Sequence, residues 1–352
     1  MMSGKCWAAG PVFPRLNEPA SGISVLKTLS ALRKSMKVTY GIGKVKKVIP
    51  RAVLVIGVFD GLHLGHQELI QRAIRRAREL KGPVVVMTFW PHPVQVLRPE
   101  VNLPLIISLP YRLKLLEDLG VAQCIVIHFT KKFSQLTPEK FIKNFLMSHL
   151  KPQEIFVGDD FRFGQNRSGS LECFQMAGHQ YGFKVNVLPS IDVAESLSGK
   201  KAKRKISSTM IRQLIAQGEL KKIKSLLGRN MAIMGKVKRG EARGKTLGFP
   251  TANIYPQNEI VLPLGVYAVH VWFQDRRFQG MADVGLQPSF KISNERVAVE
   301  VFIFDFHKNL YGHEIIVEFI KKIREERMFY TKEELIAQLQ KDEIKARAIL
   351  RA

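Results

Sequence analysis

A regular alternation of strand-like and helix-like segments between Val53 and about Leu188 constrains the fold more than any other feature of the sequence. Ala52 to Ile56 is a continuous apolar run, typical of a strand that is buried on both faces, and a segment with apolar residues at helical spacing follows it. The same order recurs as far as the run "FKVNVL" at residues 183–188. Because strands that alternate with helices pair in parallel through right-handed crossovers, the sequence predicts an α/β domain built on a parallel sheet.

Two helices in this half carry clear end signals. Leu113, Leu116 and Leu119 stand at helical spacing and are followed by Gly120, which favours a helix that ends there. Thr137 precedes a proline and opens "TPEKFIKNFLMSHL", so it is expected to cap the next helix.

The pattern changes after Gly228. The runs "MAIMGKVKRG", "GVYAVHVWF", "RFQGMADVG" and "RVAVEVFIFDF" are strand-like and have turns rather than helices between them, which favours a small antiparallel barrel. A capping box that begins at Thr331 then opens a final amphipathic helix. The sequence therefore predicts an α/β domain over residues 36–227 and a barrel domain with a C-terminal helix over residues 228–352.

The first 35 residues differ in composition from the rest of the chain. They are basic, and Glu18 is their only acidic residue. We expect residues 1–35 to be a disordered and dispensable extension. The three cysteines are widely spaced, and no apolar run approaches the length of a membrane span, so we expect a cytoplasmic protein without a membrane partner.

The formal net charge of +25 has two interpretations. It could belong to a nucleic-acid surface, or to a protein whose ligands carry several phosphates. The basic residues are scattered, and no RNA-recognition signature or zinc-finger spacing accompanies them, so we favour the second interpretation. We expect small-molecule substrates, no nucleic-acid partner, and a monomer or weak homo-oligomer.

The segment "GVFDGLHLGHQ" follows the first apolar strand and contains His63 and His66. It forms a strand-to-helix turn at the carboxyl end of a strand, where open α/β sheets bind ligands and free helix N–H groups favour an anion. Each histidine alone could be an ordinary loop or helix-start residue. Their spacing around one glycine suits two imidazoles that hold phosphate oxygens from one turn.

The segment "ISSTMIR" places Ser208 and Thr209 at the start of a predicted helix, with Arg212 one turn further on. Hydroxyl groups, the helix dipole and a guanidinium group all favour an anion there. An ordinary Ser/Thr cap with a solvated arginine is the alternative for this segment alone. Together with the two histidines, however, it is the paired signature of an α/β superfamily that transfers nucleotidyl groups.

The chain resembles the prokaryotic bifunctional riboflavin kinase/FAD synthetase family from about Met36 to its C-terminus. The motifs "GVFDGLHLGHQ", "TFWPHP", "VGDDFRFGQNRSG" and "ISSTMIR" are similar to its adenylyltransferase half, and "GKTLGFPTANI", "LPLGVYAV" and "VEVFIFDFHKNLYG" to its kinase half. The resemblance implies that ATP phosphorylates riboflavin to FMN in the second half. It also implies that the first half transfers AMP from ATP to FMN, giving FAD and pyrophosphate.

The resemblance also implies roles for individual residues. Catalysis would involve His63, His66 and Arg212 in one half and Glu300, as the base, in the other. The implied nucleotide-binding residues are Gly57, Phe59, Asp60, Gly65, Ser208, Thr209, Gly244, Lys245 and Thr246. Asp160, His92 and Arg324 would bind flavin.

The residues of the kinase half are chemically suited to these roles. A hydroxyl that attacks phosphorus must lose its proton, and Glu300 stands alone in the apolar run "VAVEVFIF", on the same strand face as Ala298 and Phe302. Thr251 and Asn253 offer neutral oxygen ligands for Mg²⁺, although turn chemistry after a proline would also explain them. For Glu300, the alternative to a catalytic base is an ordinary glutamate on the solvated face of a barrel strand.

Three positions depart from the family pattern, because the chain reads "DVGLQPS" and "IREERMF". Gln287 stands for an arginine, Ser289 for a threonine, and Met328 for a lysine or arginine, which brings flavin affinity into question. Two competing functions remain open at this point. Another enzyme of the His-x-Gly-His superfamily would not need the "GFPTAN" barrel, and a flavin-sensing RNA-binding protein would not need the histidine pair and Glu300.

Overall fold

The computed structural model describes residues 35–351, except for residues 46–47, 198–199, 241–246, 257–258 and 288–295 and the side chains of residues 193–204, 287 and 296. The extension predicted over residues 1–35 therefore lies outside the described residues, apart from Ser35.

The first half folds around a six-stranded parallel sheet, as the alternating pattern predicts. Its strands are β1 Lys37–Tyr40, β2 Val53–Ile56, β3 Val84–Trp90, β4 Gln123–His128, β5 Glu154–Gly158 and β6 Lys184–Leu188. They lie in the order β1-β4-β3-β2-β5-β6, and all neighbours are parallel. β3 and β4 lie on one side of β2, and β5 and β6 lie on its other side. The switch point therefore lies between β2 and β5, and ligands bind at the carboxyl ends of such strands.

Nine α-helices are described, and most of them cover this sheet. They are α1 Leu64–Glu79, α2 Pro93–Leu97, α3 Leu109–Leu119, α4 Lys131–Ser134, α5 Pro138–Lys140, α6 Leu171–Tyr181, α7 Ser208–Ala216, α8 Leu220–Leu227 and α9 Lys332–Arg351. Short 3₁₀ turns occupy Ile42–Lys44 and Gln165–Arg167.

The end signals read from the sequence are confirmed, with one difference. Gly120 adopts a left-handed conformation with φ of 94° and ends α3. The Thr137 side chain accepts a hydrogen bond from the Lys140 N–H at 3.3 Å. Beyond Lys140, however, the chain continues as a π-helix over Phe141–Met147, and its wider turns bury Phe141 and Leu146. Apolar spacing alone does not distinguish this geometry from an α-helix.

The second half forms a six-stranded antiparallel sheet. Its strands are β9 Met231–Lys236, β10 Thr251–Ile254, β11 Gly265–Phe273, β12 Arg276–Gln287, β13 Arg296–Ile303 and β14 Glu314–Arg324. They lie in the order β10-β13-β12-β11-β14-β9. An antiparallel bridge between Lys238 and Asn253, with an N–H···O distance of 2.9 Å, joins the two outer edges. The sheet therefore curves into the small barrel that the sequence predicts.

Two further strands between the halves were not predicted. β7 Asp192–Leu197 and β8 Lys200–Lys205 pair as an antiparallel hairpin. This hairpin lies between β6 and α7, so it directly precedes the segment "ISSTMIR" at residues 206–212.

One apolar core joins the two halves. Buried side chains from one face of the parallel sheet, including Val55 and Val86, continue through Ile215 of α7 into the barrel interior at Val269. The C-terminal helix α9 covers the outside of the barrel and buries Ala346 there. Among the residues that the structure describes, no helix is both long enough and apolar enough to cross a bilayer.

Candidate functional sites

The loop between β2 and α1 holds two stacked histidines. His63 caps α1, and its Nδ1 accepts a hydrogen bond from the His66 N–H at 3.4 Å. The two imidazole rings lie 3.7 Å apart between centroids and are inclined by only 18°. A Cβ atom on Gly65 would lie 3.2 Å from the His63 ring, tighter than most such contacts. The glycine between the histidines therefore leaves room for the stack, which explains their spacing.

Burial and positive neighbours keep the imidazoles of this site uncharged. Burial lowers the pKa of His63 from 6.5 to about 4, against the attraction of the Asp160 carboxylate. The pKa of His66 is also lowered, by burial of the ring and then by His63 and Arg112. Both rings are therefore neutral near pH 7, so each offers one N–H donor and one ring nitrogen acceptor.

Asp60 links this loop to the second motif. Its carboxylate is 2% exposed, accepts the Ile106 N–H at 3.0 Å and forms an ion pair with Arg212. Arg212 Nε also donates to the Pro104 carbonyl at 2.7 Å. In addition, the Ser208 hydroxyl donates to the Asp60 carbonyl at 2.9 Å, which fixes the start of α7 against the loop. The two motifs, which are joined by residues 148 apart in the chain, thus form one site, which we call the parallel-sheet site.

Two of the predicted flavin-binding residues border this site. Asp160 follows β5, across the switch point from the histidines, and its largely exposed carboxylate lies 3.5 Å from Lys205 Nζ. His92 caps α2, where burial and then Arg212 and Arg112 lower its pKa to about 4. The structure therefore brings the predicted residues of the first half to the same sheet edge.

Phe59 and Thr209, two of the predicted nucleotide-binding residues, differ in exposure. Phe59 is 1% exposed, and its ring lies against Gly57 and edge-on to His66, at 5.3 Å between centroids. Thr209, in contrast, is exposed at the start of α7. In this structure Phe59 supports the histidine rather than facing the open crevice.

Two arginines of this site, the buried Arg112 and the half-buried Arg229, had no signal in the sequence. Arg112 on α3 is fully buried. Arg229, between α8 and β9, donates to the Gly61 carbonyl at 2.7 Å and lies over the Tyr111 ring. Each reads as an ordinary basic residue in sequence, because arginine is usually exposed and only the fold determines its partners.

A second group of polar side chains, the barrel site, lies on three adjacent strands. Glu300 on β13 is paired in register with Asn253 on β10 and with Asp283 on β12. The Thr251 hydroxyl lies 3.4 Å from Glu300 Oε2. The structure thus brings Thr251, Asn253 and Glu300 together and adds Asp283 as a second carboxylate.

The oxygen atoms of the barrel site suit a hard cation. Asn253 is 4% exposed, yet its Oδ1 has no hydrogen-bond partner among the described residues, and Asp283 Oδ1 also lacks one. A Cβ atom on Gly240 would lie 2.5 Å from the Asn253 amide, so the glycine backbone closes over that side chain. Buried oxygens left without a donor fit a Mg²⁺ ligand set.

Arg324, the third predicted flavin-binding residue, lies at the end of β14. Its Nε donates to Asp342 of α9 at 2.8 Å, and the Asp342 side chain is fully buried. This ion pair fastens the C-terminal helix to the barrel. The Arg324 charge also opposes the rise in the pKa of Asp283, which places it near the barrel site.

Several predicted positions fall on parts of the chain without a description. Gly244, Lys245 and Thr246 lie outside the described residues, as does Ser289, and the Gln287 side chain is not described. Met328 is described and is 87% exposed.

Replacing Asp283 by asparagine is expected to stabilise the metal-free protein above pH 6 by about 1–3 kcal/mol. Burial and then Glu326 raise the pKa of Asp283 from 3.8 to about 6. A folded-state pKa above the unfolded value means that ionisation costs stability, increasingly from about pH 4 to pH 6. Thermal unfolding in a chelator at pH 4 and pH 7.5 should therefore show the gain only at pH 7.5.

The matched control for this prediction is Asp305→Asn. Arg347 lowers the pKa of Asp305, so removing that carboxylate should give no gain at pH 7.5. An equal change in melting temperature at both pH values for Asp283→Asn would contradict the assigned burial of its charge.

Comparison with known proteins gives concordant matches over both halves. A family model for FAD synthetase matches residues 45–209, and one for riboflavin kinase matches residues 227–350. A protein of Buchnera aphidicola subsp. Schizaphis graminum, named bifunctional riboflavin kinase/FMN adenylyltransferase, is 37% identical over 87% of this chain and 96% of its own length. The protein of the same name from Escherichia coli K12 is 37% identical over 84% of this chain and 91% of its own length.

A solved structure is also similar over most of the chain. It is described as a macrolide-efflux protein from Streptococcus pneumoniae and is 32% identical, with a TM-score of 0.73. The match covers 89% of this chain and 99% of that one. The two proteins therefore share their fold over that length.

Proposed function

We propose which residues carry out each of two reactions. The proposal starts from the fact that this chain belongs to the bifunctional riboflavin kinase/FMN adenylyltransferase family. The chain phosphorylates riboflavin with ATP to give FMN, and it transfers AMP from ATP to FMN to give FAD and pyrophosphate. The parallel-sheet site is assigned to adenylyl transfer and the barrel site to phosphorylation.

The assignment of adenylyl transfer to the parallel-sheet site is supported by the meeting of the histidine loop (residues 57–63) and the start of α7 at one sheet edge. In adenylyl transfer an FMN phosphate oxygen attacks the α-phosphorus of ATP, and the bond to pyrophosphate breaks. The nucleophile is already an anion, so the site must chiefly position two polyanions and stabilise the charge that develops. His63 and His66 supply neutral N–H donors. Thr209, Arg212 and the backbone N–H of Ser208 supply further donors at the start of α7, because the Ser208 hydroxyl already donates to the Asp60 carbonyl.

The register of Glu300 with Asn253 supports the second assignment. The riboflavin 5′-hydroxyl must lose its proton as its oxygen attacks the γ-phosphorus of ATP and ADP leaves. Glu300 is proposed to accept that proton as the general base. Thr251 and Asn253 would hold Mg²⁺, which neutralises phosphate charge when it is bound.

The division of the chain into residues 36–227 and 228–352 remains our proposal. Its support is the turn at Gly228, with φ of 67°, between the last helix of the parallel-sheet half and β9. A cytoplasmic location, a monomeric or weakly associated state and the absence of a nucleic-acid partner remain predictions from the sequence.

A chromatographic time course tests the proposed function. The purified chain is incubated with riboflavin, ATP and Mg²⁺, and the flavins are separated at intervals. FMN should rise first and FAD should follow it. Conversion of FMN to FAD without any conversion of riboflavin would point to impaired flavin binding in the barrel, where Gln287 and Met328 depart from the family pattern.

A further inference from the structure

Two non-glycine residues of the histidine loop have a left-handed backbone conformation. Phe59 has φ of 56° and Leu62 has φ of 43°, and both side chains are 1% exposed. Residues other than glycine enter this region at an energetic cost, so the surrounding structure must hold them there. Leu62 directly precedes His63, so its backbone conformation sets the direction in which the His63 side chain leaves the loop.

Arg229 binds the two carbonyl groups at the end of this turn. Its Nη2 donates to the Gly61 carbonyl at 2.7 Å, and its Nη1 donates to the Leu62 carbonyl at 3.2 Å. Nη1 also donates to the Leu227 carbonyl, at the end of α8, at 3.3 Å. Because a guanidinium group is planar and rigid, it fixes the positions of its acceptors relative to one another. One side chain therefore ties the residues just before His63 to the end of α8.

The residues around Arg229 also pack directly on the histidine loop. Gln67 Nε2 donates to the Leu62 carbonyl at 2.8 Å and to the Leu227 carbonyl at 2.7 Å. A Cβ atom on Gly228 would lie 2.7 Å from Leu64 Cδ2, so this glycine lets α8 end against the first turn of α1. The loop is therefore held by residues 227–229, at the boundary between the two halves of the chain.

The end of α8 does not require this arginine. Gly228 has φ of 67°, and its N–H donates to the Lys224 carbonyl at 2.9 Å, which closes the helix. The contact with Leu227 is also the longest of the three described contacts between Arg229 and carbonyl groups. Arg229 Nε is buried without a partner among the described residues, so placing the charge here carries a desolvation cost. The guanidinium group therefore serves the histidine loop more than the helix.

We propose that Arg229 is a positioning residue for adenylyl transfer, which holds the Gly61 and Leu62 carbonyls so that the His63 ring stays stacked on His66. The proposal rests on the assignment of the histidine pair to that reaction. Arg229 acts through the loop and not on the substrates. Hydrogen-bond donors stabilise a transition state only when they are already in place, so a loop that moves weakens the contribution of both imidazoles.

Kinetics of Arg229→Met and Arg229→Lys in the full chain test the proposal, with Lys224→Met, which removes an exposed lysine of α8, as the matched control. In Arg229→Met, kcat for FMN adenylylation should fall about 10–100-fold. The KM values for FMN and ATP should change little, because the loss is in the transition state. Riboflavin phosphorylation should continue at its normal rate. Arg229→Lys keeps one charged donor and should retain more of kcat, and Lys224→Met should change neither activity.

A second readout follows the imidazoles themselves. His63 and His66 are stacked at 3.7 Å, so each ring shifts the NMR signals of the other. In Arg229→Met the ring-proton signals of both should move toward those of an unstacked histidine. The signals of His179, which is exposed on α6, should stay in place.

A normal adenylylation kcat in Arg229→Met, or unmoved signals of the two histidines, would overturn the proposal. Parallel loss of both activities would also overturn it, because it would show an ordinary structural role. If Arg229→Met does not fold, Arg229→Lys decides. It should lose part of the adenylylation kcat and keep phosphorylation, and a normal kcat or a parallel loss of both activities would count against the proposal.

Failure of this proposal is distinguishable from failure of the site assignment. In the first case His66→Ala still lowers adenylylation strongly, and in the second case it does not.

Discussion

Replacing His66 by alanine is expected to lower the rate of FAD formation from FMN by about 10²–10³-fold, while FMN formation from riboflavin continues at its normal rate. The substitution removes the neutral donor that we propose for the reacting phosphates, and it removes one ring of the His63 stack. The barrel site contains none of the parallel-sheet residues, so the phosphorylation step has no direct dependence on His66. Separate assays that start from FMN and from riboflavin measure the two rates.

His179→Ala is the matched control, because His179 is exposed in the last turn of α6, away from the loop between β2 and α1. It should change neither rate. An His66→Ala variant that makes FAD from FMN at the normal rate would reject the assignment of the histidine pair. A variant that loses both activities together with its thermal transition would indicate a folding defect, and His66→Asn, which keeps a polar side chain, would then replace it.

Replacing Glu300 by glutamine is expected to lower the rate of riboflavin phosphorylation by about 10²–10⁴-fold and to leave adenylylation of added FMN intact. Glutamine keeps the size of the side chain and its position opposite Asn253 and Asp283, but it cannot accept the hydroxyl proton. The expected loss is in kcat rather than in the KM for riboflavin, because the proton is transferred only as the bond to phosphorus forms.

Glu314→Gln controls for the removal of a carboxylate from the same sheet, since Glu314 is exposed at the start of β14. Its activities should match those of the unaltered chain. Equal loss of both activities in Glu300→Gln would contradict the role of Glu300 as the base of one reaction only.

The sequence predicted those elements of the fold whose signals are local. Apolar runs and end signals such as Gly120 and Thr137 specify strands and helix ends through contacts within a few residues. The parallel sheet and the barrel followed from the order of such elements. β14 was not identified as a strand, because its second half, "IKKIR", reads as basic surface, and only pairing with β9 and β11 makes it a strand.

Only those residues of the candidate sites that belong to recognisable sequence motifs could be predicted. His63 and His66 were singled out in the sequence and lie together in the parallel-sheet site, and Glu300, Thr251 and Asn253 lie together in the barrel site. The partners of these residues were not predictable. Asp283 faces Glu300 only because β12 and β13 pair in one particular register, and Arg112 is buried only because α3 holds it against Thr88 and Phe89 of β3. Burial and register are properties of the complete fold, so no pattern within either segment identifies them.

The central claim is that one chain carries two separate sites. The most direct test mixes two variants that each lack one of the two activities. His66→Ala and Glu300→Gln are combined with riboflavin, ATP and Mg²⁺, and the flavins are followed by chromatography. Neither variant alone should convert riboflavin to FAD, whereas the mixture should, because FMN released by His66→Ala reaches the intact adenylylation site of Glu300→Gln. A mixture that forms no FAD from riboflavin, although each variant retains its expected single activity, would contradict two independently acting sites joined by free FMN.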